Sequence, residues 1–194
     1  MHNHNYRYFM LNNLAIESAV RAAEKKTGLD FGHKEPAPSD QDESYYPQFS
    51  AQVREEAERM ARNYVLFYSL ENSIRDLIVD VLSEKHGEDW WSVTGVVPDV
   101  VTKSAEGNQK KESGTGVTVR SDRLIDYTNF GELGEIIKSN WEDFGSILRD
   151  KRAVERILAN LNTLRASIAH CTALATDEEV RLHLSLRDWF RQQA

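Results

Sequence analysis

One cysteine in 194 residues, Cys171, excludes a disulfide framework and any zinc site built on several thiolates. Proline and glycine are scarce, at 4 and 10. That is too few for a β-rich fold with a turn every ~10 residues. No run approaches the ~20 apolar residues of a membrane-spanning helix. The start, Met1 to Met10, lacks a basic-then-apolar leader, so the expected location is cytoplasmic, with no membrane partner. Basic residues are outnumbered, 24 against 31, for a net charge of −7. A whole-surface grip on nucleic acid is therefore disfavoured, and any RNA would have to meet a local basic site. No phosphate-binding glycine loop or dinucleotide fingerprint is present. His2 and His4 crowd one terminus, while His33, His86 and His183 lack ligand spacing, so neither a metal nor another cofactor is expected.

What the chain does have is helical periodicity. Tyr8 to Lys26 can form a first helix, with Met10, Leu14, Ala15, Ala19 and Ala22 on one stripe, closed by Thr27-Gly28. Asp30 to Ser50 holds three of the four prolines and several acids, as a linker does. A long helix is expected from about Ala51 to Glu84, burying Val53, Ala57, Met60, Tyr64, Phe67, Ile74, Ile78 and Val81, and ending at Gly87. Pro98 can open a short helix that reads on through Val101 to Lys111, before the Ser113–Gly116 break. Asn129 and Glu132 have capping-box spacing ahead of Ile136 and Ile137. Trp141 to Leu148 is a further short apolar piece. Helices over about Lys151–Cys171 and from Thr176 to Phe190 finish the chain, the last with Thr176 and Glu179 as its cap. Leu182, Leu186, Trp189 and Phe190 share a helical face there, although the alternation of Val180, Leu182, Leu184 and Leu186 also fits a strand. The expected fold is all-α, a bundle of four to six helices. Residues 1–50 form an N-terminal helix plus acidic linker, and 51–194 a helical domain with a flexible insertion at about 98–122.

Two charges violate the pattern. With about 100° per residue and Arg165 set at zero, Val154, Leu158, Leu161 and Ile168 lie near −20°, +20°, −40° and −60°. Arg165 therefore projects from the middle of an apolar stripe, where an unpaired charge costs several kcal/mol. Glu71 interrupts the long helix in the same way, among Phe67, Ile74 and Ile78. A Glu71–Arg165 interaction follows, with Arg75 one turn beyond Glu71. It is either an internal ion pair without chemistry or the floor of a cleft between helices or subunits. His170 lies about 140° around the helix from Arg165. The two converge only if the helix loosens at its end or if two copies of the chain compose the cleft.

The segment Leu164-Arg165-Ala166-Ser167-Ile168-Ala169-His170 resembles the Arg-x4-His signature of the HEPN superfamily. Leu70–Ile78 is similar to that family's early core helix. Arg123–Trp141 resembles a stretch of the branch found as standalone bacterial proteins and at the C-terminus of a eukaryotic nuclear mRNA-surveillance endonuclease. Together the likeness covers about residues 60–192. It implies an HEPN-like helical bundle that forms a homodimer, with two such motifs facing across a shared cleft. It also implies a metal-independent endoribonuclease, often a toxin or anti-phage effector with an antitoxin or nucleotidyltransferase partner; other members are inactive modules for dimerisation or nucleotide binding. Carried over by position, Arg165 and His170 become the catalytic pair and Glu71 a supporting residue. One departure stands out. The residue after the motif arginine is usually Asn, Asp or His, and here it is Ala166.

RNA carries its own nucleophile, the 2′-OH. Such a site needs proton transfer, which an imidazole performs near neutrality, and positive charge on the phosphate, which an arginine fork supplies. Candidate RNA contacts are Arg75, the α-helical arginines Arg152 and Arg156, and Lys110 and Lys111, which together with Lys103 form either a mobile arm or plain soluble loop. Between Arg149 and Arg165 five basic residues face two acids. Seven acids between Glu35 and Glu58, against Arg54, make the N-terminal segment a candidate cover for a basic cleft.

Overall fold

Glycine and proline set the ends of the helices, and the apolar spacing sets which faces meet. The structure, a computed structural model, describes residues 26–27, 48–116 and 118–193. The helix expected over Tyr8–Lys26, the linker from Asp30 to Ser50, and His2, His4 and His33 fall almost wholly outside the described residues. Residues 1–55 and 56–194 form two units. Among the described residues there are six α-helices: α1 (Ala51–His86), α2 (Asp99–Ser113), α3 (Phe130–Ser139), α4 (Trp141–Phe144), α5 (Lys151–Ala169) and α6 (Thr176–Gln192). Short 3-10 turns at Trp90–Ser92 and Leu124–Tyr127 join them. The described part is all-α, apart from one antiparallel bridge between Leu148 and Gln193.

The long helix α1 stops where Gly87 takes φ +87°, a left-handed conformation that closes helices at low cost only with glycine. It buries Phe67, Leu70, Ile74, Ile78, Val81 and Leu82. The expected stripe began too early, since Val53, Ala57 and Tyr64 are exposed and the buried face starts at Asn63. Periodicity marks a face that is able to pack; only a facing element makes it pack. Phe67 meets Phe130 of α3 with ring centroids 5.0 Å apart. Leu133, Ile136 and Ile137 of α3 join Val154, Leu158 and Leu161 of α5 in the same core. Trp189 on α6 is completely buried there.

Within the expected insertion, residues 99–113 are helical, as the spacing from Pro98 to Lys111 suggests. They form α2, opened by Pro98, with Val101 and Ala105 buried against the core and the Leu124–Tyr127 turn. Leu182 and Trp189 are buried while Val180 and Leu184 are exposed, which is helical rather than strand spacing. Phe190, expected on the buried face of α6, is exposed. The cap of α6 also differs. Ala175 is the N-cap, its backbone N–H donating to Glu178 Oε2 at 2.8 Å. Glu179 instead accepts from Asn63 Nδ2 at 3.2 Å and lies 3.6 Å from Arg59 Nε, tying α6 to α1. By contrast, both halves of the Asn129–Glu132 capping box at α3 are made, at 3.1 and 2.8 Å. Asn129→Ala is expected to lower stability by about 1 kcal/mol, read as the shift in a urea unfolding midpoint.

Candidate active site

The helical repeat puts Tyr64, Tyr68, Glu71, Asn72 and Arg75 along one edge of α1. With Glu71 at zero they lie at about +20°, +60°, 0°, +100° and +40°. This edge, the last turn of α5 and the segment Arg120–Asp126 enclose an open cleft of about 550 Å³. Arg165, Ile168 and Ala169 line it from α5, and Arg120, Arg123 and Asp126 from the segment before α3. Four arginines face two carboxylates, so the cleft carries excess positive charge inside a net-negative chain. A second cavity of about 410 Å³ adjoins it, sharing Arg120 and Arg165 and adding Lys111 and Thr128.

Glu71 is the hub. Its Oε1 accepts a very short hydrogen bond from Arg75 Nη2, and its Oε2 lies 3.8 Å from Arg165 Nε. The same Arg75 nitrogen donates to the Thr128 carbonyl at 3.1 Å, which fixes α1 against the entry to α3. Glu71 and Arg75 are 14% and 12% exposed, whereas Arg165 is 36% exposed. Arg165 donates no hydrogen bond to the described residues, and Glu71 is its one ion-pair partner among them. Its planar fork therefore faces the cleft with donors free for an anion.

Arg120 and Arg123 are committed elsewhere. Arg123 makes a two-pronged contact to Asp126, at 2.9 and 3.0 Å, and those hydrogen bonds push its pKa above the ordinary value. Arg120 binds Glu112 through Nε at 2.7 Å and lies 5.1 Å over the Tyr127 ring. The side-chain hydrogen bond from Arg120 holds the Glu112 carboxyl below its ordinary range and raises Arg120 in return. Neither arginine was singled out from sequence. The available signal was that Arg120 and Arg123 flank the start of the family-like stretch beyond the glycine break. Tyr64 was missed as a cleft residue because its spacing also suits a core position.

The expected residues are divided by the fold. Glu71, Arg75 and Arg165 come together. His170 does not line the cleft: α5 ends at Ala169, and His170 is the exposed C-cap. Cys171 then takes φ +53°, while Cys171 N–H donates to Ile168 O and Thr172 N–H to Ser167 O, the paired bonds of a Schellman turn. His170 stands about 140° around α5 from Arg165, and the turn beyond it does not bring it back to that face. Arg152 and Arg156 are exposed about 140° and 180° around α5 from Arg165, so they belong to the opposite face. Lys110 and Lys111 end α2 rather than a mobile arm. Lys111 lines the second cavity, and Lys110 lines neither.

A family model described as Swt1-like HEPN matches residues 66–192. The span takes in most of α1, all of α2 to α6, and every cleft residue named above except Tyr64. No curated protein and no solved structure matches the chain.

Proposed function

The chain belongs to the Swt1-like HEPN family, and from that membership we propose that its arginine cleft is the phosphate site of a metal-independent endoribonuclease. HEPN domains in general carry RNase-type or nucleotide-binding functions. The observation that carries the nuclease reading is Arg165, a guanidinium that lines an open cleft and, among the described residues, is held by one long contact to Glu71.

The chemistry follows from what RNA brings. The 2′-oxygen attacks the adjacent phosphorus, the P–O5′ bond breaks, and the products end in a 2′,3′-cyclic phosphate and a 5′-OH. Arg165, backed by Arg75, stabilises the charge on the crowded phosphate. Glu71 orients both arginines without touching the substrate. One imidazole takes the 2′-OH proton and passes it on to the leaving 5′-oxygen. His170 supplies this group from a second copy of the chain, because in its own protomer it stands outside the cleft. A two-fold homodimer brings each His170 toward the partner's Arg165. The biological setting that fits is a toxin or anti-phage effector in the cytoplasm, held in check by an antitoxin or a nucleotidyltransferase. Among the described residues no helix is long and apolar enough to cross a membrane.

The test is incubation of the purified protein with RNA in EDTA, with the product ends analysed by phosphatase sensitivity. Cleavage leaving cyclic phosphate ends is expected, and persistent cleavage by Arg165→Ala would remove the assignment. A second reading has its own observation. His170 is absent from the cleft lining, and Ala166 offers no polar group. Both suit a catalytically inactive module that binds RNA or nucleotides or mediates dimerisation. That module would bind RNA through the same arginines and leave it intact.

A further inference from the structure

Tyr64 and Tyr68 line the cleft on the same edge of α1 as Arg75, while Arg120, Arg123 and Arg165 come to it from other segments. They are 58% and 59% exposed, unusual for large aromatic rings on a helix whose next turns are buried. Their ring centroids are 5.9 Å apart with planes tilted by 34°. Neither hydroxyl hydrogen-bonds to another described residue, so the rings stand free along the cleft. We infer that Tyr64 and Tyr68 are a nucleobase-stacking subsite, which seats one unpaired base beside the phosphate held by Arg165 and Arg75. The inference rests on the reading of the cleft as an RNA site and extends it to base recognition.

Three features converge on this occupant. The same cleft offers π-faces from the tyrosines and guanidinium groups from Arg75 and Arg165, which matches the two chemistries of a nucleotide, a flat base and an anionic phosphate. A volume of about 550 Å³ is within the ~300–1,000 Å³ of small-ligand clefts and admits a nucleotide unit. The adjoining cavity, joined through Arg120 and Arg165 and bearing Lys111, continues the positive path to a neighbouring phosphate. A second protein copy, which brings its His170 to Arg165, is a poorer occupant of the tyrosine wall itself, because an apolar interface there would strand the arginines that share the cleft with the tyrosines. An RNA duplex is a poorer one too, since its base faces are already stacked on each other.

Binding is measured apart from cleavage, on full-length His170→Ala protein, with a short single-stranded RNA carrying 2-aminopurine and with the same strand annealed to its complement. The single strand is expected to bind at least about tenfold more tightly than the duplex, with quenching of the 2-aminopurine fluorescence. Tyr64→Leu and Tyr68→Leu are each expected to weaken binding about tenfold and remove the quench, whereas Tyr→Phe at either position keeps both. Unchanged binding and quenching in the leucine variants overturn the stacking subsite. So does a change in their sedimentation with RNA binding intact, which makes the tyrosines a contact between copies. If Arg165→Ala weakens binding and the leucine variants do not, the cleft reading stands and the stacking inference alone falls. If Arg165→Ala binds as well as its parent, both fall.

Discussion

Mixing two separately inactive variants, Arg165→Ala and His170→Ala, is expected to restore RNA cleavage to about a quarter of the wild-type level. Each variant alone is expected to lose about 10²–10⁴-fold in rate. The reason is the geometry of α5. Arg165 faces the cleft, and His170 caps the helix outside it. If each site pairs an arginine from one protomer with a histidine from the other, a mixed dimer keeps one intact pair of two. Random exchange makes half of the dimers mixed, which gives the quarter. Both substitutions spare the fold. His170 is exposed, and Arg165 contributes one 3.8 Å contact at partial exposure, worth at most about 1 kcal/mol. Loss of activity with an unchanged unfolding midpoint separates a chemical role from a structural one. No recovery in a mixture shown to contain mixed dimers would mean that the histidine does not act across the interface.

Glu71→Ala is expected to cost about 2–4 kcal/mol, lowering the thermal midpoint by about 5–15 °C. The carboxylate is the common partner of Arg75 and Arg165. Arg75 is 12% exposed, and its Nε is already buried without a partner. Without Glu71 its charge keeps only the Thr128 carbonyl, so a nearly buried cation is left poorly compensated. Arg165 loses less, because its head reaches the cleft. Glu71→Gln keeps an acceptor at the same place and is expected to cost less than half as much. Replacing Arg75 by methionine as well should recover much of the loss, since the stranded charge is then gone. Equal stability of Glu71→Ala and the parent would show that water already screens the pair.

The two predictions share Arg165, and with Glu71 it was the most legible part of the site. A helix repeats every 3.6 residues, so a charge inside an apolar stripe stands out without any structure. Glu71 and Arg165 were found in that way, and the fold brings them within 3.8 Å. Arg120 and Arg123 break no period. Nothing in a local pattern says that a segment after a glycine turn will close the far side of a cleft formed by α1 and α5. Arg152 and Arg156 illustrate the converse. They cluster in sequence with Arg165, yet the helical twist carries them to the other face.

The sequence by itself determined the helices and several of their ends, because those depend on near neighbours: Gly87 past α1, Pro98 before α2, and the reciprocal Asn129–Glu132 bonds at α3. It also determined that two opposite charges must find each other or find water. The tertiary structure decided which apolar faces are covered, leaving Tyr64 and Phe190 outside and drawing Glu179 to Asn63 instead of to its own helix cap. It decided, too, which segments line the arginine cleft, and His170, already about 140° off the Arg165 face by helical period, is not among their residues. Caps and periods are written in residues three or four apart. Burial, ion pairing across helices and the lining of a cleft depend on where distant segments come to rest, and packing alone settles that.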